Sequence, residues 1–142
     1  MQNMDKDEEI FEDAQDWITL DTSLEAGREA IDKFLNNQFD EAGEIVEPLS
    51  DKSIYHASVY GVIRLFKAMM TFEQKDLEEA SKVLSQSCDT IDRFRKKTTF
   101  KDKLGRILWN PDFNDYTDTE IHAELCFAEV LLMKASDGVV AL

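Results

Sequence analysis

The chain has 142 residues, 43% of them apolar, and carries 30 acidic against 16 basic side chains for a net charge of −14 at neutral pH. That length can bury a core of one domain, while an acidic excess of this size argues against a nucleic-acid partner, whose phosphates it would repel. No apolar run approaches the roughly 20 residues that cross a bilayer, and the acidic start MQNMDKDEEIFEDA lacks the basic character of a signal or transit peptide, so the chain reads as cytoplasmic or nuclear.

Only five glycines and two prolines interrupt a composition rich in Ala, Leu, Glu and Lys, which favours helix over sheet. Cys88 and Cys126 are too few and too far apart for a disulfide framework and read as buried thiols in a reducing compartment. Residues 1–25 hold nine carboxylates and one lysine without a helical apolar stripe, so residues 1–20 are expected to be an acidic, disordered tail. A helical domain is expected over 21–136, with a frayed end at 137–142.

Taken in order, the helices start at Thr22, where Thr22 and Glu25 have capping-box spacing. The first is expected over about 23–36, its apolar positions Leu24, Ile31, Phe34 and Leu35 at helical intervals, ended by Asn36 and Asn37. The second runs from Phe39 until Pro48 forbids continuation. The third, about Ser53 to Phe72, is apolar around most of its circumference, as in a helix packed on two sides. Asp76 and Glu79 are expected to cap the fourth, whose stripe is Leu77, Ala80, Val83, Leu84, Ser87, Ile91 and Phe94. After an irregular insert, Thr117 and Glu120 cap a last helix that Ser136, Asp137 and Gly138 are expected to terminate.

The stretch FLNNQFDEA returns thirty-eight residues later as FEQKDLEEA. In register, Ala30 meets Ala68, Phe34 meets Phe72, Phe39 meets Leu77 and Ala42 meets Ala80. A shared helical period with a shared break is a repeated helix-turn-helix, with small alanines where paired helices cross closely. Such a pair cannot cover its own apolar face, so copies stack. This is tetratricopeptide logic, although the period exceeds the usual ~34 and no Trp-x-x-Leu-Gly opens the first helix.

The pieces FLNNQF, YHASVYGVIRLFKAMMTFEQKDL, RFRKK and EIHAELCFAEVLL, over residues 20 to about 135, closely resemble the start of the tetratricopeptide repeat protein 39 family, related to the fungal inclusion body clearance proteins. The resemblance implies an all-α fold of tetratricopeptide-like repeats in a short right-handed superhelix, without catalytic sites. It also implies a link to lipid and sterol homeostasis, to protein clearance and, in fungi, to lipid droplets and the mitochondrial outer membrane. Members of the family are several times longer, and a second helix should follow the one carrying Ala128, so the chain reads as an amino-terminal fragment or truncated isoform.

Chemistry-bearing constellations are sparse. His122 and Cys126, at i and i+4, could hold a metal, but no second pair completes a tetrahedron. His56 has no serine or cysteine at a strained turn beside it, and there is no Gly-rich phosphate loop. Neither an enzymatic activity nor a cofactor is expected.

Binding remains. The leading expectation is a scaffold whose first helices line a concave face for a protein or peptide ligand. The alternative is a lipid-surface protein using segment 93–109, where Arg93, Arg95, Lys96, Lys97, Lys101, Lys103 and Arg106 accompany Phe100, Leu104, Ile107 and Leu108. Against it, a ten-residue amphipathic stretch is short for independent interfacial binding and can instead dock on the acidic domain. In the tail, Phe11, Asp13, Ala14 and Asp16 follow an acidic tract as in the FFAT motif of endoplasmic-reticulum tethering, with Ile10 and Glu12 as departures. Trp17 and Leu20 resemble the anchors of an autophagy-modifier-binding strand. Finally, Leu125, Val130, Leu131 and Met133 are expected to face outward on the last helix and promote self-association.

Overall fold

The structure, a computed structural model, describes residues 18–97 and 115–140. Among them are five α-helices, α1 (Leu20–Leu35), α2 (Phe39–Val46), α3 (Ile54–Thr71), α4 (Gln74–Asp92) and α5 (Asp118–Val140), plus a 3-10 turn at Glu47–Leu49, and no strand.

The first helix begins one turn earlier than its sequence suggests. Thr19, not Thr22, is the N-cap: the Thr22 N–H donates to Thr19 Oγ1 at 3.2 Å, and the Thr19 N–H donates to Thr22 Oγ1 at 3.0 Å. This reciprocal pair does the work expected of Thr22 and Glu25, and it brings Leu20 inside the helix, against the core. Asn36 ends α1, its Nδ2 donating to Asp32 O at 2.8 Å, and Asn37 turns the chain with φ of 63°. Asn tolerates that left-handed region better than most residues. Helix α2 stops at Val46, and Pro48 sits in the 3-10 turn, as its missing N–H dictates.

Helix α3 closes on Phe72, left-handed at φ 52° and 71% exposed. Phe72 therefore lies past a helix end, whereas Phe34, its partner in the repeat alignment, lies within α1 and packs edge-on against Phe39 at 5.0 Å between centroids. Asp76 does not cap α4. It accepts the Thr71 hydroxyl at 2.7 Å and ties the α3–α4 turn, while Glu73 is the N-cap and Glu79 pairs with Arg64. At α5 the expected box forms: the Thr117 N–H reaches Glu120 Oε2 at 2.9 Å and the Glu120 N–H reaches Thr117 Oγ1 at 3.2 Å. Ser136, Asp137 and Gly138 do not end that helix, which runs to Val140. A glycine commonly terminates a helix by taking positive φ, and none of the described glycines does.

Helix α1 packs on α2 and α3, α3 packs on α4 and α5, and α4 packs on α5. The first helices of the repeats, α1, α3 and α5, thus form one layer with α2 and α4 behind it. One core cluster joins Ala30, Ala42 and Val46 to Val59 and Ile63 of α3; a larger one joins Ile54, Leu65, Leu84, Ile91, Cys126 and Val130 across α3, α4 and α5. Gly61 marks a close approach between the layers. A Cβ on Gly61 would stand 3.0 Å from Leu84 Cδ2 and 3.3 Å from Ser87 Oγ.

Candidate functional site

The layer of first helices has a free face, and Tyr55 marks its floor. A Cβ on Gly27 of α1 would stand 3.5 Å from Tyr55 Cβ, and the Tyr55 hydroxyl pairs with His122 Nδ1 of α5 across rings 5.8 Å apart. Tyr55 therefore touches both flanking helices. Val62, Phe66 and Met69 follow it at seven, eleven and fourteen residues, on the same strip of α3. On α1, Leu24, Ile31 and Leu35 recur at matching intervals beside Gly27, and His122 and Glu129 line the α5 side.

This strip is apolar and open. Leu35 is 72% exposed, Phe66 48%, Ile31 38% and Met69 37%, whereas ordinary helix surfaces of so acidic a chain carry charge. Phe34 braces the end of the groove, its ring 5.9 Å from that of Phe66. Burial, reinforced by Cys126 and Glu129, pushes the Tyr55 phenol above its ordinary range. Aromatic and methionine side chains with rotamer freedom suit an apolar peptide face.

The polar groups near the groove have structural partners. Ser23, Ser53 and His56 are each at most 4% exposed, and Ser53 Oγ bonds His56 Nδ1 at 2.8 Å. Burial lowers the His56 pKa, keeping the ring neutral. His122 is committed to Tyr55, and Cys126 is buried, its thiol pushed up to about 11 by burial and then by Glu129, against a hydrogen bond with Ser58. Among the described residues no three metal-type side chains cluster.

The residues singled out from sequence fall in different places. Ala30, Ala42, Ala68 and Ala80 are fully buried, and Leu77 nearly so. Phe39 is partly exposed. Leu20, expected as the second anchor of an added strand, opens α1 and packs on the larger core cluster. Phe11, Asp13, Ala14, Asp16 and Trp17 lie outside the described residues, as do Lys101, Lys103 and Arg106.

Three cations of the basic segment are engaged within the molecule. Arg93 donates to Asp51 O and, at 3.1 Å, to Thr90 Oγ1. Arg95 pairs with Asp92 at 2.9 Å and Glu124 at 3.0 Å and lies 4.0 Å over the Phe127 ring. Lys96 donates to Asp115 O at 2.7 Å and stands 4.7 Å over Tyr116, while Lys97 is exposed. On α5 the outward face also differs from expectation: Val130 is fully buried and Met133 packs on the core, while Ile121, Leu125, Leu131 and Leu132 are exposed. Sequence reasoning placed a concave face on the first helices without naming its residues; the surplus of apolar positions on α3 was the available signal.

Comparison with known proteins agrees with this architecture. The model of the Iml2/tetratricopeptide repeat protein 39 family matches residues 28–140. Tetratricopeptide repeat protein ttc-39B of Caenorhabditis elegans is 36% identical over 129 residues, a match spanning 87% of this chain and 22% of that protein. No solved structure matches the chain. The repeat of helix pairs crossing at buried alanines and the family match over most of the sequence lead to one conclusion: the chain belongs to the Iml2/tetratricopeptide repeat protein 39 family.

Proposed function

We propose that the chain is a non-enzymatic scaffold of tetratricopeptide type that holds a peptide segment of another protein in the groove of α1, α3 and α5. The observation that carries this reading is the strip of Ile31, Leu35, Phe66 and Met69, apolar and open to solvent on the layer of first helices. An aromatic and methionine strip of this kind fits the apolar face of a helix or an extended segment with alternate apolar side chains. The family resemblance favours a role in lipid or sterol homeostasis or in the clearance of protein inclusions, exerted from the cytoplasm at an organelle surface. The acidic tail, with Phe11 as anchor, is the companion proposal for attachment to the endoplasmic reticulum.

The lipid-surface reading of segment 93–109 has less support, because Arg93, Arg95 and Lys96 spend their charge inside the molecule. A photo-crosslinking residue at Val62 is expected to capture a partner that the same residue at Lys82, on α4, does not. Equal capture at both positions would defeat the groove reading. Phe66→Lys is expected to abolish capture at Val62 without changing the helical signal.

A further inference from the structure

A second hollow opens between α2 and α3, on the side of α3 turned away from the apolar strip. Tyr60, Arg64 and Lys67 line it, and each lies about a third of a turn or more around α3 from Tyr55. Its volume is about 380 Å³, within the roughly 300–1,000 Å³ of ligand sites. Gly43 leaves the middle of the α2 wall bare, since nothing lies within 4 Å of a Cβ built there. Beside the start of α2, Phe34 and Phe39 meet edge-on; beside its end, the Tyr60 hydroxyl donates to Glu47 Oε1 at 2.9 Å.

The lining is aromatic and acidic. Asp40, Glu44 and Glu47 follow one another at intervals of four and three, a single stripe of carboxylates along α2. Among the described residues neither Asp40 nor Glu44 has an ion-pair partner. Arg64 is already paired with Glu79 of α4, which leaves Lys67 as the unpaired cation of the described lining against three carboxylates. Helix stacking does not require this wall. The second copy of the repeat keeps Ala80 for Ala42 and Leu77 for Phe39, yet places Lys82 where Glu44 stands and Ser85 where Glu47 stands.

We propose that the hollow takes the side chain of an arginine from a partner protein, its methylene stem against Phe39 and the bare backbone of Gly43 and its guanidinium between Glu44 and Glu47. A guanidinium is planar, stacks on aromatic rings and bonds carboxylates in a fork, so it answers both halves of the lining. Tyr60 holds the Glu47 carboxylate in place without neutralising it, because burial and then that hydrogen bond raise the phenol pKa to about 12. An anionic ligand would meet the carboxylate stripe instead. The site is separate from the peptide groove, and Phe34, whose ring touches those of both Phe39 and Phe66, stands between the two.

The test is an NMR titration of the whole, isotope-labelled chain with a blocked Ala-Arg-Ala peptide, beside the same peptide carrying citrulline, which keeps the shape and lacks the charge. The arginine peptide is expected to shift the amide resonances around Gly43 and Tyr60 with a dissociation constant of about 1 mM, and the citrulline peptide to bind at least about tenfold more weakly. Glu44→Gln, at an exposed position, should weaken the arginine peptide about threefold or more, and Lys67→Gln should strengthen it. Gly43→Leu fills the hollow and is expected to abolish the shifts with an unchanged circular dichroism spectrum. Should that variant not fold, Glu44→Gln and Lys67→Gln decide the matter. Equal binding of the two peptides would overturn the proposal, as would the absence of shifts at about 10 mM arginine peptide. So would shifts centred on Asp21, Glu25 and Glu29 of α1, which mark unspecific attraction to an acidic surface.

Discussion

Ser23 of α1 caps a different helix from its own: its Oγ accepts the N–H of Tyr55, in the first turn of α3, at 3.3 Å. The same Oγ bonds Ser53, the N-cap of α3, whose side chain makes no cap of its own because it turns to His56 instead. One buried cluster thus couples the first repeat to the second. Ser23→Ala leaves the Tyr55 N–H and the Ser53 hydroxyl without this partner and is expected to cost about 1–3 kcal/mol in chemical denaturation. A loss below about 0.5 kcal/mol would mean that the coupling is idle.

His56 should make stability depend on pH. Its imidazole is buried and its pKa lies below the ordinary 6.5, the value of the unfolded chain. The unfolded state therefore binds the proton more readily. The contribution of the neutral ring is complete above about pH 6.5 and is lost as the pH falls through the lower folded value. Denaturation midpoints are expected to drop from pH 7 toward pH 5 in the native chain and to drop less in His56→Gln. An identical slope in both would remove His56 as the cause.

Ala42→Leu and Ala80→Leu are each expected to destabilise by about 1–3 kcal/mol, since both positions are fully buried at close helix crossings. Gly61→Val should cost a similar amount, as the added carbons enter space held by Leu84 and Ser87. Gly43 gives the contrast, because nothing lies within 4 Å of its added Cβ. Gly43→Ala is expected to stabilise by about 0.5–1 kcal/mol through helix propensity alone.

Both thiols should be slow. Burial raises the pKa of Cys88 and pushes that of Cys126 to about 11, so little thiolate exists at neutral pH. Labelling by a thiol reagent near pH 8 is expected to be slow in the native chain and to speed up at least about a hundredfold on denaturation. Rapid native labelling of Cys126 would contradict the packing of α5 on α3.

How much of this was legible beforehand depends on how local the cause is. Pro48 stops a helix wherever it stands, Thr117 and Glu120 close a box over three residues, and the paired alanines recur at a fixed interval, so the helix pairs and their stacking could be read from the chain itself. Caps were less secure where two choices competed: Thr19 displaced Thr22 because it also buries Leu20, and Thr71 claimed Asp76 for a turn. Gly138 misled for a related reason, since its composition permits a stop but does not require the positive φ that makes one. Surfaces were decided by tertiary structure alone. A cationic run looks free until Glu124 and Phe127 of α5 are placed against Arg95, and Val130 looks outward until α5 is rotated onto α3 and α4. A helical period fixes which residues share a stripe, but only the neighbouring helices determine which stripe is covered and which is left open to bind.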